Sequence, residues 1–367
     1  MQLLAYGGTK PLPYQRSISQ SQALEPGIVA PVTADKKTLT VPGREAFRNV
    51  AAYLNCATNS TTADIDAQAV VDCLRSKDTT TLLNASLATY TGDISHNTGD
   101  IWLPSVDGDF LPDAPSKLLS EGRFGNVTYT IGWAEDDTDI FTNLSIATQN
   151  DVYDFFHAYL PGLNTTFLSG EVLDAYPESD FHTPAGSPLS PNFYRASRIF
   201  RDILMVCEPF YLAEALHRKG NQVYLYNWNQ TILPPILKAV FDAPGLGVVH
   251  TSEFAYMFGN ISVYNVSGVP FDPSQQDYDL VQRGSRTWAA LGAKGHVDDK
   301  DGGVKGWKPA YSANGAPGSP SVYTIGGSEE GLFPVEGTGS PDAVAKQRLA
   351  ERCALWNRPE IISQLGY

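Results

Sequence analysis

The stretch that decides the fold is Asn126-Val127-Thr128-Tyr129-Thr130-Ile131-Gly132-Trp133-Ala134-Glu135-Asp136-Asp137-Thr138-Asp139-Ile140-Phe141. Its first half is a run of β-branched and aromatic residues, which predicts a short buried strand that stops at Gly132. Its second half is an acidic loop. Acids at the carboxyl end of a buried strand stand where open α/β sheets place their chemistry. In isolation, Glu135, Asp136, Asp137 and Asp139 would equally suit a solvated turn, so the surrounding chain has to decide.

A second strand is predicted over 222–228. It leads to Gly247-Val248-Val249-His250-Thr251-Ser252-Glu253-Phe254-Ala255-Tyr256-Met257-Phe258-Gly259-Asn260, where a glycine loop delivers a histidine. His250 fits a loop before a short helix capped near Thr251 or Ser252. It also fits a general base. Residues 147–220 read as mainly helical, with the longest stretch at 191–218 and Gly220 as its stop. Strand, acid loop, helices, strand, histidine loop is the order of the second half of a doubly wound α/β enzyme, whose triad runs serine, acid, histidine along the chain.

Upstream, the pattern predicts a short strand near 16–21 and helices over 42–55, from about Thr62 to Leu74, and over 79–87. Residues 101–115 are turn-rich, and a short helix follows over 116–121. Downstream, a helix is predicted over 274–291. The Gly/Pro/Ser-rich region 295–340 reads as a long loop. A final helix is predicted from Asp342 through Cys353 to Trp356.

Composition narrows the class. The 367 residues are 42% hydrophobic and 11% aromatic, enough to bury a core. A net charge of −14 argues against nucleic acid or an anionic membrane as a partner. No apolar run of about eighteen residues occurs, so no transmembrane helix is predicted. The start of the chain lacks the features of a secretory signal. Yet there are eight Asn-x-Ser/Thr acceptors, at Asn59, Asn84, Asn126, Asn143, Asn164, Asn229, Asn260 and Asn265. The cysteines number four, an even count without zinc-like spacing, which favours disulfides over metal. Secreted features without a signal predict a parent protein that extends upstream of Met1. Leu3-Leu4-Ala5-Tyr6-Gly7-Gly8 reads as the end of a helix with its glycine stop.

At this point the sequence resembles the type-B carboxylesterases and lipases of the α/β-hydrolase fold, which include the cholinesterases; secreted fungal members share its pattern. Val106-Asp107-Gly108-Asp109-Phe110-Leu111-Pro112-Asp113 is similar to the family's DG-x-x-x-P-D loop. Gly132 to Phe141 is similar to its G-x-N-x-x-E-G-x-x-F segment, departing at Ala134 and Thr138, with aspartate in place of glutamate. His250-Thr251-Ser252-Glu253 resembles H-G-x-E, and Phe258-Gly259-Asn260 the F-G-N that follows. The resemblance implies that His250 and Asp137 are catalytic and that Ser21 and Glu253 support them. It implies disulfides Cys56/Cys73 and Cys207/Cys353. The substrate would be a small-molecule or lipid carboxylic ester, with no cofactor or metal and no nucleic acid. The remaining histidines (His96, His157, His182, His217 and His296) have no partner motif.

The family's nucleophile motif, G-x-S-x-G, does not occur. Gly326-Gly327-Ser328-Glu329-Glu330-Gly331 has one residue too many before its last glycine. The resemblance therefore implies that residues 1–367 are a single incomplete domain: the C-terminal two thirds of an α/β-hydrolase, without the early strands, the oxyanion loop and the serine, and inactive alone. The alternative is a non-catalytic, esterase-like secreted binding or adhesion protein.

Overall fold

Five strands make one sheet in the order β1 (Arg16–Gln20), β2 (Thr128–Ala134), β3 (Val223–Trp228), β4 (Ser321–Ile325) and β5 (Gly331–Pro334). The first four are parallel and β5 pairs antiparallel with β4. The computed structural model describes residues 1–22, 42–60, 64–93, 104, 106–160, 162–311 and 319–366. Chain contacts divide these into two units.

The smaller unit, residues 25–115 with the chain ends, contains α1 (Pro42–Tyr53), α2 (Gln68–Arg75) and α3 (Thr79–Asp93). Val50, Leu54 and Ala85 form its small core, against which Leu74 and the Cys56–Cys73 disulfide pack. The second helix begins at Gln68, later than its pattern suggests, and Ala67 before it provides no side-chain cap. Thr62, the expected cap, lies outside the described residues, as does His96.

The larger unit, residues 2–24 and 116–365, holds the whole sheet. β2 and β3 are buried along nearly their whole length, as parallel strands covered by helices on both faces should be. On one face Tyr224, Tyr226, Trp228, Tyr323 and Ile325 pack with Leu280, Val281 and Leu291 of a long helix, Gln275–Lys294. That helix is capped by Ser274, whose hydroxyl accepts from the Asp277 amide while the Asp277 carboxylate accepts from Ser274. On the other face Trp133 meets Phe210, their ring centres 5.7 Å apart. Phe210 belongs to a helical column formed by Pro191–Arg201, a π-helical turn at Asp202–Val206, and Cys207–Arg218. The Cys207–Cys353 disulfide ties this column to the helix Leu349–Trp356. Among the described residues no helix is long and apolar enough to cross a membrane.

Three further expectations need correction. β2 does not stop at Gly132; it runs on through Trp133 and Ala134. The glycine is there because the Tyr226 ring lies across it: a Cβ would come within 2.2 Å of that ring. The region 295–340 is not loop throughout, since Ser321-Val322-Tyr323-Thr324-Ile325 is a β-branched and aromatic run that forms β4, with β5 beside it. The glycines and prolines around it hid a strand signal that is ordinary when read alone. The last helix is two pieces, Asp342–Ala345 and Leu349–Trp356, broken where Arg348 takes the left-handed conformation at φ 48°.

Replacing Gly132 by Ala should force β2 and the Tyr226 ring apart and lower stability by about 1–3 kcal/mol. Urea unfolding measures it. An unchanged midpoint would contradict this contact.

Candidate active site

The acid loop begins where β2 ends. Asp137 is wholly buried. Its Oδ1 lies 2.7 Å from His250 Nδ1. Its Oδ2 accepts from the Ser21 hydroxyl at 2.6 Å and from the Ala134 amide at 2.8 Å. Ser21 follows β1 directly, with φ 49°, and its amide donates to the Gly132 carbonyl at 2.7 Å. A non-glycine residue in that region costs about 1–2 kcal/mol, a cost the paired carboxylate offsets. The sheet thus fixes both ends of the contact: β1 presents Ser21 and β2 presents Asp137.

The neighbouring acids hold the histidine loop. Asp136 Oδ2 accepts from the Val248 amide at 3.1 Å, and the Asp136 amide donates to the Val248 carbonyl at 3.0 Å. Asp139 Oδ2 accepts from the Gly247 amide at 3.0 Å, and its Oδ1 from the Ser197 hydroxyl at 2.5 Å. The His250 amide donates to the Asp137 carbonyl at 3.1 Å. The reading of this run as a solvated turn is therefore wrong: Glu135, Asp137 and Asp139 are 3%, 0% and 1% exposed. The expected cap at Thr251 or Ser252 is also absent. Thr251 is left-handed at φ 70°, the Ser252 hydroxyl donates to Thr231, and the helix Phe254–Met257 starts after Glu253 without a side-chain cap.

Burying so many carboxylates perturbs them. Burial pushes Glu135 up, but the charges of Arg198, Lys346 and Arg201 outweigh it and hold the carboxyl below its ordinary range. Burial and the Glu135 charge raise Asp136. Burial and then the Asp136 charge raise Asp139 to about 7. Burial lowers His250, yet the hydrogen bond and charge of Asp137, with the charge of Glu253, leave it raised overall. Glu253 is itself raised to about 6 by burial and by Asp137. One of its oxygens takes a bond from Gln20 Nε2 at 3.3 Å; the other is buried with no partner among the described residues.

Chemically, this pair can accept a proton at His250 Nε2 and stabilise the resulting imidazolium through Asp137. The imidazole is 30% exposed, and the Phe141 ring stands 5.4 Å from it. Phe141 is itself half exposed, an apolar wall open to solvent beside the histidine. His157, His182, His217 and His296 are exposed. Among the described residues no group of three or more His, Cys, Asp or Glu could hold a metal ion. Gln20, Arg198, Arg201, Asn227 and Gln347 escaped sequence reading. They are ordinary polar residues that stand in none of the motifs quoted above, although Gln20 is next to Ser21.

The carboxylesterase family model matches residues 9–332. A secreted lipase of Arthroderma benhamiae is 40% identical over 373 residues, covering 100% of this chain and 61% of the relative. The inactive carboxylesterase-like protein VdtD of Byssochlamys spectabilis is 30% identical, covering 75% of this chain and 48% of the relative. The chain thus spans less than two thirds of the length of these relatives. The crystal structure of Aspergillus niger EstA superposes with a TM-score of 0.65 at 17% identity, covering 100% of this chain and 62% of that one. The fold is that of the α/β-hydrolases.

Glu253→Gln tests the electrostatics. The folded Glu253 pKa, about 6, lies above the unfolded value of 4.5. Its stabilising contribution is therefore full below 4.5 and is lost as pH rises through about 6. Glutamine cannot ionise, so wild-type stability should fall relative to the variant across that window, as read by urea midpoints. The His250 pKa should also drop. Parallel stability curves would contradict the assignment.

Proposed function

The chain belongs to the carboxylesterase family, and on that premise we propose that it carries the acid–base half of a serine ester hydrolase. His250 is the base that takes a proton from a serine hydroxyl and returns it to the leaving alcohol. Asp137 orients the imidazole and stabilises its charged form. The observation that carries this reading is the 2.7 Å contact between His250 Nδ1 and a wholly buried Asp137. Ser21 and Glu253 support the pair without reacting. The sequence contains no G-x-S-x-G, so the serine belongs to a segment outside these 367 residues, and the chain alone is inactive. The substrate is a small-molecule or lipid carboxylic ester, with Phe141 lining one side of the reacting centre.

The same proposal makes the protein extracellular and glycosylated. Two relatives, from Arthroderma benhamiae and Botryotinia fuckeliana, carry the name secreted lipase. Seven of the acceptor asparagines are exposed and Asn229 is half-buried. At Asn143 and Asn260 the side-chain oxygen takes a bond from the serine hydroxyl two residues on.

The missing motif also favours a second reading, an esterase-like binding or adhesion protein. A binding module needs no buried carboxylate on its histidine, which weighs against this. The transcript upstream of Met1 decides first: the proposal requires a G-x-S-x-G there. With that segment present, hydrolysis of p-nitrophenyl esters should fall about a millionfold in His250→Ala and about ten-thousandfold in Asp137→Asn. An upstream sequence without the motif, or a full-length protein without turnover that binds a partner stoichiometrically, would establish the second reading.

A further inference from the structure

We infer that Gln347 is a positioning residue for the His250–Asp137 pair, reaching the acid loop from the C-terminal segment. The inference rests on the reading of that pair as the acid–base machinery.

Gln347 occupies the break in the last helix and is fully buried. Its Nε2 donates to Glu135 Oε2 at 2.8 Å and to the Ala343 carbonyl at 3.0 Å. Its Oε1 accepts from Arg201 Nη1 at 3.0 Å. That same Arg201 nitrogen donates to the Glu135 carbonyl at 2.8 Å. The amide therefore sits between a buried cation and a buried anion, accepting from one and donating to the other. Among neutral side chains of this length only glutamine does both.

The break that delivers Gln347 is built. Arg348 is held left-handed at φ 48°. Its guanidinium donates to Asp180 at 3.0 Å and to Glu351 at 2.6 Å. The Gln347 carbonyl accepts from Arg352 Nη1 at 3.2 Å, and Arg352 also bonds Asp180 at 2.9 Å. The next residue, Cys353, is joined covalently to Cys207. Strain at one non-glycine residue, over-determined by its surroundings, is a pattern found at functional sites.

The link onward to Asp137 is short. The Glu135 amide donates to the Trp228 carbonyl at 2.9 Å, so Glu135 is pinned at its nitrogen, its carbonyl and its carboxylate. Asp137 Oδ2 bonds back to the Ala134 amide at 2.8 Å. A displacement of Glu135 therefore shifts the turn that aims Asp137 at His250. Without Gln347, Glu135 Oε2 keeps, among the described residues, only Asn227, at 2.7 Å, and Arg201 loses an acceptor.

The test is proton NMR of the chain, reading the hydrogen-bonded Nδ1–H of His250 at low field and the His250 titration. In the wild type the resonance should be present and the titration should lie above that of a free imidazole. In Gln347→Met the resonance should be lost and the midpoint should fall, with far-UV circular dichroism unchanged. Lys346→Met removes a neighbouring charge but keeps the amide, and should retain the resonance. Retention of resonance and midpoint in Gln347→Met would overturn the inference while leaving the pair itself intact. Absence of both in the wild type would instead overturn the reading of the pair. If Gln347→Met fails to fold, Gln347→Glu replaces it. An added negative charge acting through space raises the His250 midpoint, so a fall supports positioning, and a rise with the resonance kept contradicts it.

Discussion

Three carboxylates are buried within five residues at the end of β2, and each needs its own compensation. An isolated buried carboxylate costs several kcal/mol after relaxation. Here the partners are divided among elements far apart in sequence. Asp137 takes His250, Ser21 and a main-chain amide. Asp139 takes Gly247 and Ser197. Glu135 takes Asn227 and Gln347, with Arg198 and Lys346 nearby. The loop can be low in energy only when strand, helical column, histidine loop and C-terminal segment are all in place. Formation of the site and completion of the tertiary structure are therefore one event, because a half-satisfied buried network is worse than none.

The sequence makes some of this legible and hides the rest for physical reasons. Local composition reveals the strands near 16–21, up to Gly132 and over 222–228 and the helix from about 274 to 291, because a run of β-branched residues or a 3.6-residue period is a local property. His250 and Asp137 are legible because each stands in a recognisable motif, Asp137 just past a strand and His250 in a glycine loop. The continuation of β2 beyond Gly132 is not legible, because the glycine that reads as a stop is there for a cross-strand ring, that of Tyr226, some ninety residues away. The break at Arg348 is hidden because helix propensity over 342–356 is continuous, and what interrupts it is tertiary: a buried amide pulled toward Glu135 and a guanidinium drawn to Asp180. The burial of the acidic run follows the same logic. A sequence window shows four acids but not the amides they accept from.

The histidine loop gains its position from the acids more than from its own residues. Its amides at 247, 248 and 250 all point at the 136–139 segment, while Thr251 accepts a left-handed conformation that glycine would adopt without strain. Such an arrangement fixes the His250 ring in advance, with its Nδ1 already placed on Asp137. One relative is named a secreted lipase and another an inactive carboxylesterase-like protein, and a fold by itself does not decide activity.

The most direct measurement is the tautomer of neutral His250, read from the nitrogen-15 shifts of the imidazole in selectively labelled protein above its titration. The account predicts the proton on Nδ1, donated to Asp137, with Nε2 bare and able to act as a base. A proton on Nε2 would contradict it, since the ring would then be turned from its carboxylate and unable to accept a proton at the exposed edge.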